Sequence, residues 1–117
     1  MSSSPLTPLV NEFDLTTAWQ VLYQVPSTAL RTGIDAVVFN NYSADNVTYS
    51  FRLVQSGGAG GSLSELITDK KIRAFSSDLS PAAIGQSVLK AGTIEAKCSA
   101  NSSVSVNITG TVINDDA

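Results

Sequence analysis

Apolar and polar residues alternate with a period of two along much of this 117-residue chain, and the clearest run lies near its end. In residues 89–113, LKAGTIEAKCSANSSVSVNITGTVI, the side chains of Ile94, Ala96 and Cys98 fall on one face of an extended strand, with Thr93, Glu95 and Lys97 on the other. After the polar turn SANSS, Val104, Val106 and Ile108 alternate with Ser105, Asn107 and Thr109. Alternation this strict marks strands that pack one face inward and turn the other to water.

The same rule predicts strands upstream. Residues 17–25 (TAWQVLYQV) put Trp19, Val21 and Tyr23 on one face and Gln20, Leu22 and Gln24 on the other, and Pro26-Ser27 ends the run. Residues 29–40 form a long second strand with Gly33 as a bulge or bend. Leu30, Ile34, Ala36 and Val38 face one way there, and Val37 and Phe39 the other. NNYSADN is turn chemistry, because Asn and Asp tolerate the backbone required and bond to it locally. Val47, Tyr49, Phe51 and Leu53 then alternate with Thr48, Ser50, Arg52 and Val54 in a third strand, expected to pair with the second as a hairpin.

Further on the pattern weakens. QSGGAGGS reads as a flexible connection, since no Lys-Ser/Thr follows it as a phosphate cradle would need. SLSELI suggests a helical turn, KKIRAF a short strand, SSDLSP a loop and Ala91-Gly92 a tight turn. At the start, SSSPLTP is an extended arm in which Pro5 and Pro8 block helix. Leu9, Val10, Phe13 and Leu15 either seal one end of the core or dock on a neighbouring subunit. The expected architecture is all-β: a single-domain antiparallel β-sandwich, jelly-roll-like, with an extended N-terminal arm. The arm is expected at 1–16, the sandwich at 17–113 and an acidic tail at 114–117.

Composition narrows the function classes. Hydrophobic residues make up 43%, enough for a core, while charged residues are only 15% against about a quarter in an average domain. A surface of hydroxyls and amides lowers the barrier to association. The net charge of −3 lacks the basic face a nucleic-acid binder needs. Histidine is absent and Cys98 is the single cysteine, so neither an internal disulfide nor a transition-metal cluster is expected. The inward parity of Cys98 suits a small buried hydrophobe. Residues 1–11 have no basic stretch followed by an apolar run, and no window approaches the roughly 20 apolar residues of a membrane span. Synthesis in the cytoplasm, without a leader or membrane segment, is the expectation.

Candidate chemistry is sparse. Four Asn-X-Ser/Thr triplets begin at Asn41, Asn46, Asn101 and Asn107, and a chain rich in these residues produces such triplets by chance. The carboxylates are scattered, no histidine is available as a base, and no serine sits in a nucleophile motif. An enzyme is not expected, nor a cofactor. Trp19, Tyr49 and Phe51 match apolar parity and are expected in the core, whereas Tyr42 lies in a turn and is expected at the surface. Lys70, Lys71 and Arg73 form a basic cluster suited to a sheet edge, where lysines discourage edge-to-edge pairing.

The order of these features resembles a known group. VLYQVP, then IDAVVFNNYSADNVTYSFRLV, then VLKAGTIEAKCS and SVSVNITGTVI are similar to the small β-sandwich proteins encoded in the virion-morphogenesis regions of tailed bacteriophages. The likeness spans residues 17–113 and lies at the level of the fold. It implies a structural protein of the virion, made in the host cytoplasm and assembling as a homotrimer. The specific expectation is a capsid decoration (cement) protein bridging major capsid protein subunits on the capsid surface. A neck, tail or fibre-base component is the alternative, with a carbohydrate-binding adhesin head third. On this reading the candidate capsid or subunit contacts are Pro5, Leu6, Leu9, Val10 and Phe13 of the arm and Lys70, Lys71 and Arg73 of the basic cluster. Residues 56–81 are longer than the pattern implies, which marks them as a contact region or protruding loop.

Overall fold

Each alternating run becomes a strand, and the strands turn their apolar faces to one interior. The computed structural model describes residues 2–3, 7–55, 65–79 and 84–114. In chain order the strands are β1 (Ser2–Ser3), β2 (Thr7–Asp14), β3 (Gln20–Gln24), β4 (Ala29–Asn41), β5 (Val47–Val54), β6 (Glu65–Ile72), β7 (Ser77–Leu79), β8 (Ser87–Leu89), β9 (Thr93–Cys98) and β10 (Val104–Asn114). In one sheet β10 lies between β4 and the pair β1 and β2, and β7 and β8 share the far edge of β4. The other sheet runs β3-β9-β5-β6. Every pairing is antiparallel. The chain crosses between the sheets at most connections, which is the winding of a jelly-roll sandwich.

That winding replaces the expected hairpin. β4 pairs with β10 from Asn41↔Val104 to Ala29↔Asn114, while β5 pairs with β9 from Tyr49↔Cys98 to Val54↔Thr93. The turn 42–46 therefore spans the two sheets. The gain is a face-to-face core: Phe39 of β4 stacks on Tyr49 of β5 with ring centroids 3.9 Å apart and planes 21° apart, and Phe51 meets Phe39 edge-on at 5.9 Å. Ile94, Ala96 and Cys98 and then Val104, Val106 and Ile108 fill the interior beside them, as their alternation requires.

Where parity fails, a bulge is the cause. The register of β3 on β9 shifts between Val21 and Tyr23, so Leu22 turns inward and Val21 is 53% exposed. Trp19 accordingly lies outside the core. In β4 the shift falls at Asp35, between Ile34↔Gly110 and Ala36↔Thr109, and not at Gly33. Thr32 and Ile34 point inward before it, Val37, Phe39 and Asn41 after it. Residues 65–68 belong to strand β6 and form no helical turn, because Ile67 and Ile72 are drawn into the core. SSDLSP contains the short strand β7.

The segment expected as an arm is a strand of the sandwich from Thr7 onward. Val10 lies opposite Ile108 and is 5% exposed, and Leu15 is fully buried. Leu9 and Phe13 pack against the same core, so these side chains seal its end. Pro5, Leu6, the glycine-rich stretch 56–64 and the acidic residues 115–117 lie outside the described residues.

Gly110 marks the tightest approach of β10 to β4. A Cβ there would lie 2.3 Å from the Gly33 carbonyl oxygen and 2.7 Å from Leu9 Cδ1. The first of these atoms is backbone in a paired strand and cannot yield. Gly110→Ala is expected to cost about 1–3 kcal/mol of stability, read from the denaturant midpoint; an unchanged midpoint would show that β4 moves freely here.

Candidate interaction surfaces

The connections 15–19, 42–46, 73–76 and 99–103 gather at one end of the sandwich. Thr17 N donates to Asn101 Oδ1 at 3.0 Å, Tyr42 N to Ser103 O at 3.0 Å, Ala74 N to Asn46 Oδ1 at 3.0 Å and Phe75 N to Ser43 O at 3.1 Å. Asn41 sits beneath them, fully buried. Its Nδ2 donates to the carbonyls of Asp45 (2.7 Å), Ile72 (3.1 Å) and Arg73 (3.1 Å), and its Oδ1 accepts from Ser43 N and Oγ. Asn107 Oδ1 accepts from Glu12 N at 2.8 Å, which supports the left-handed backbone of Glu12 at φ 46°. The asparagines that begin the four triplets are thus backbone clamps.

Two titratable groups at this end depart from their ordinary behaviour. The Tyr42 hydroxyl donates to Asp14 Oδ1 at 2.6 Å, and that bond to a carboxylate, more than burial, pushes the Tyr42 pKa up to about 12. Cys98 is buried with its thiol donating to Ala100 O at 3.0 Å, and burial pushes its pKa up. The thiolate that nucleophilic chemistry requires is disfavoured there.

The basic cluster divides. β6 is the outer strand of its sheet. Lys70 turns toward the opening between the sheets, where its Nζ lies 3.0 Å from Asp78 Oδ2 of β7, and the Tyr49 hydroxyl donates to the same carboxylate oxygen. Lys70 therefore closes the sandwich edge, while Lys71 and Arg73 remain exposed.

The outer faces of the two sheets differ in chemistry. On the β3-β9-β5-β6 sheet, Arg52 donates through Nε (2.9 Å) and Nη2 (2.6 Å) to Glu95 Oε1, and Thr93 Oγ1 donates to Glu95 Oε2. Trp19 lies over this pair, with Arg52 Cζ 4.1 Å and Lys97 Nζ 5.0 Å from its ring centroid. Its large apolar surface is thereby covered by cations instead of core. Beside it is an open cleft of about 230 Å³ lined by Thr17, Thr48, Ser50, Asp69, Lys97 and Ser99. The opposite sheet presents Ser105, Asn107, Thr109 and Thr111 of β10.

Among the expected contact residues, Val10 is taken up by the core and has no surface to offer, and Leu9 and Phe13 are largely so. The structure brings forward others. Phe75 is 72% exposed, Leu79 61% and Leu89 56%, on or beside the edge strands β7 and β8. Alternation alone does not find them, because outward apolar residues obey the same period as inward ones. Tyr42, 42% exposed, stands at the surface as its turn position implies.

Two outcomes follow. Asn41→Ala removes the donor from three backbone carbonyls at once, that of Ile72 buried, and is expected to cost about 2–3 kcal/mol, measured by chemical denaturation. Tyr42, read as the absorbance difference between the wild-type chain and Tyr42→Phe, is expected to titrate near pH 12, and Asp14→Asn to bring it back toward 10. Because the folded value lies above the unfolded one, this bond stabilises the fold below pH 10 and the benefit is lost as pH rises through 12.

No protein-family model matches the chain, and no curated protein sequence matches it. Among solved structures, its fold is similar to part of a chain in "Structure of infectious bursal disease virus Gx strain", with a TM-score of 0.49 and 10% identity. The likeness covers 98% of this chain and 33% of that one, so the protein spans about a third of the length of this neighbour.

Proposed function

We propose that the chain is a structural protein of a virus particle, and specifically a capsid decoration (cement) protein of a tailed bacteriophage. In this role it assembles as a homotrimer, bridges neighbouring major capsid protein subunits and catalyses nothing. The observation that carries the reading is the pairing of a stitched jelly-roll body with exposed apolar residues, Val21, Leu79 and Leu89 at its sheet edges and Phe75 on the turn 73–76. Such side chains cost free energy in water and are recovered when a neighbouring subunit covers them. The uncharged outer surface of β10 fits the same role, because hydroxyls and amides are cheaper to dehydrate than ions. The resemblance of residues 17–113 to small virion β-sandwich proteins supports it further.

A cement protein needs area and shape, not a reacting group. Pro5 and Leu6 remain candidate clamp residues of the arm, together with Lys71 and Arg73 at the opposite sheet edge. Quantitative mass spectrometry of purified particles is expected to find on the order of hundreds of copies per head, as repeated capsid sites dictate. A count of a few or tens would move the protein to the neck, tail or fibre base, and absence from particles would remove the reading. Deleting residues 1–6, which removes the two-residue strand β1 and leaves the longer strand β2 in place, is expected to abolish capsid binding with little change in melting temperature; full occupancy by the truncated chain would refute the clamp.

A further inference from the structure

The connection 73–76 carries a conflict between residue type and backbone. Ser76 N donates to Arg73 O at 3.2 Å, closing a tight turn, and Phe75 occupies its left-handed position at φ 55°. That slot suits Gly or Asn, and for a bulky residue it is an outlier. Among the described residues, four others that are not glycine adopt positive φ: Glu12, Asp69, Ala91 and Ser102. All four are small or polar, and Glu12 and Asp69 donate their backbone N–H to Asn107 Oδ1 and Ser50 Oγ. Phe75 is neither small nor polar, and it also holds a phenyl ring 72% in water. Local strain and an exposed aromatic together are what a recognition anchor looks like before its partner arrives.

The surroundings specify the partner. Phe75 N donates to Ser43 O and Ala74 N to Asn46 Oδ1, so the turn lies against the 42–46 loop. That loop carries Tyr42, 42% exposed, and the exposed carboxylate of Asp45; the turn carries the exposed guanidinium of Arg73. Neither charge takes part in an ion pair among the described residues. Asp14, held by the Tyr42 hydroxyl, adds a second carboxylate beside them. A tip of mixed sign around an aromatic can set its anion against the cation of a reversed copy, whereas a tip of single sign would repel its own copy.

We propose that this tip is where a second copy of the chain docks, with Phe75 as the apolar anchor and Asp45 of each copy facing Arg73 of the other. The proposal goes beyond the assembly reading: a reciprocal contact of this kind joins two copies about a two-fold axis and is distinct from the head-to-tail interfaces that would close a trimer.

Sedimentation of the full chain over a concentration series, paired with thermal melts, tests it. The wild-type chain is expected to self-associate. Phe75→Gly should weaken association about tenfold or more while the melting temperature holds or rises, since glycine relieves the turn. Asp45→Arg and Arg73→Asp should each weaken association, and the double exchange should restore it. A wild-type chain that stays monomeric, a Phe75→Gly chain that associates like wild type, or one that melts lower each overturns the proposal. So does a double exchange that fails to recover. The assembly reading has its own readout, copy number in particles: a self-associating chain absent from particles sinks that reading and spares this contact, and a monomeric chain abundant on particles does the reverse.

Discussion

The contact between Phe39 and Tyr49 is the one the sandwich turns on. Each ring comes from a different sheet, so neither sheet can shift or rotate without breaking the stack. Aromatic rings supply the largest apolar area per residue, and these lie in a chain only 7% aromatic. Tyr49 also reaches past the core: its hydroxyl donates to Asp78 of β7, which Lys70 of β6 neutralises. A single side chain thus joins the dry interior to the polar seam along the open side of the sandwich.

Around that centre the chain spends its amides and hydroxyls on backbone. The asparagines at positions 41, 46, 101 and 107 serve N–H groups or carbonyls of other connections and strands, and Ser50 and Ser99 serve Asp69 and Thr48 in the same way. This answers where a protein with few charges finds its loop order. Three of its charges, Arg52, Glu95 and Lys97, gather with Trp19 on one sheet face.

Period-two alternation made the inward residues of β5, β9 and β10 readable in advance, because nothing interrupts their pleat on the inward side. It misled for Trp19, Val21 and the first half of β4, where an inserted residue reverses parity and leaves no mark in composition. The hairpin expectation for β4 and β5 failed for a different reason. Turn chemistry reports that the chain reverses, not whether it returns within a sheet or across the gap, and here β10 supplies the longer partner for β4. β2 was hard to see because its apolar residues are irregularly spaced, with Glu12 at positive φ and register shifts along β10. The exposed Phe75 was illegible in principle, since its meaning lies in a backbone angle.

The burial of Asn41 bears on how the protein can be made. Asn41-Tyr42-Ser43 is an acceptor triplet, and a eukaryotic secretory pathway offers glycan to such triplets while the chain is still unfolded. The nitrogen that would carry the sugar is the one that later faces three carbonyls with no solvent beside it. A chain glycosylated there has no place to put the branch and is trapped short of the native state, so bacterial cytosol suits its production and the endoplasmic reticulum does not.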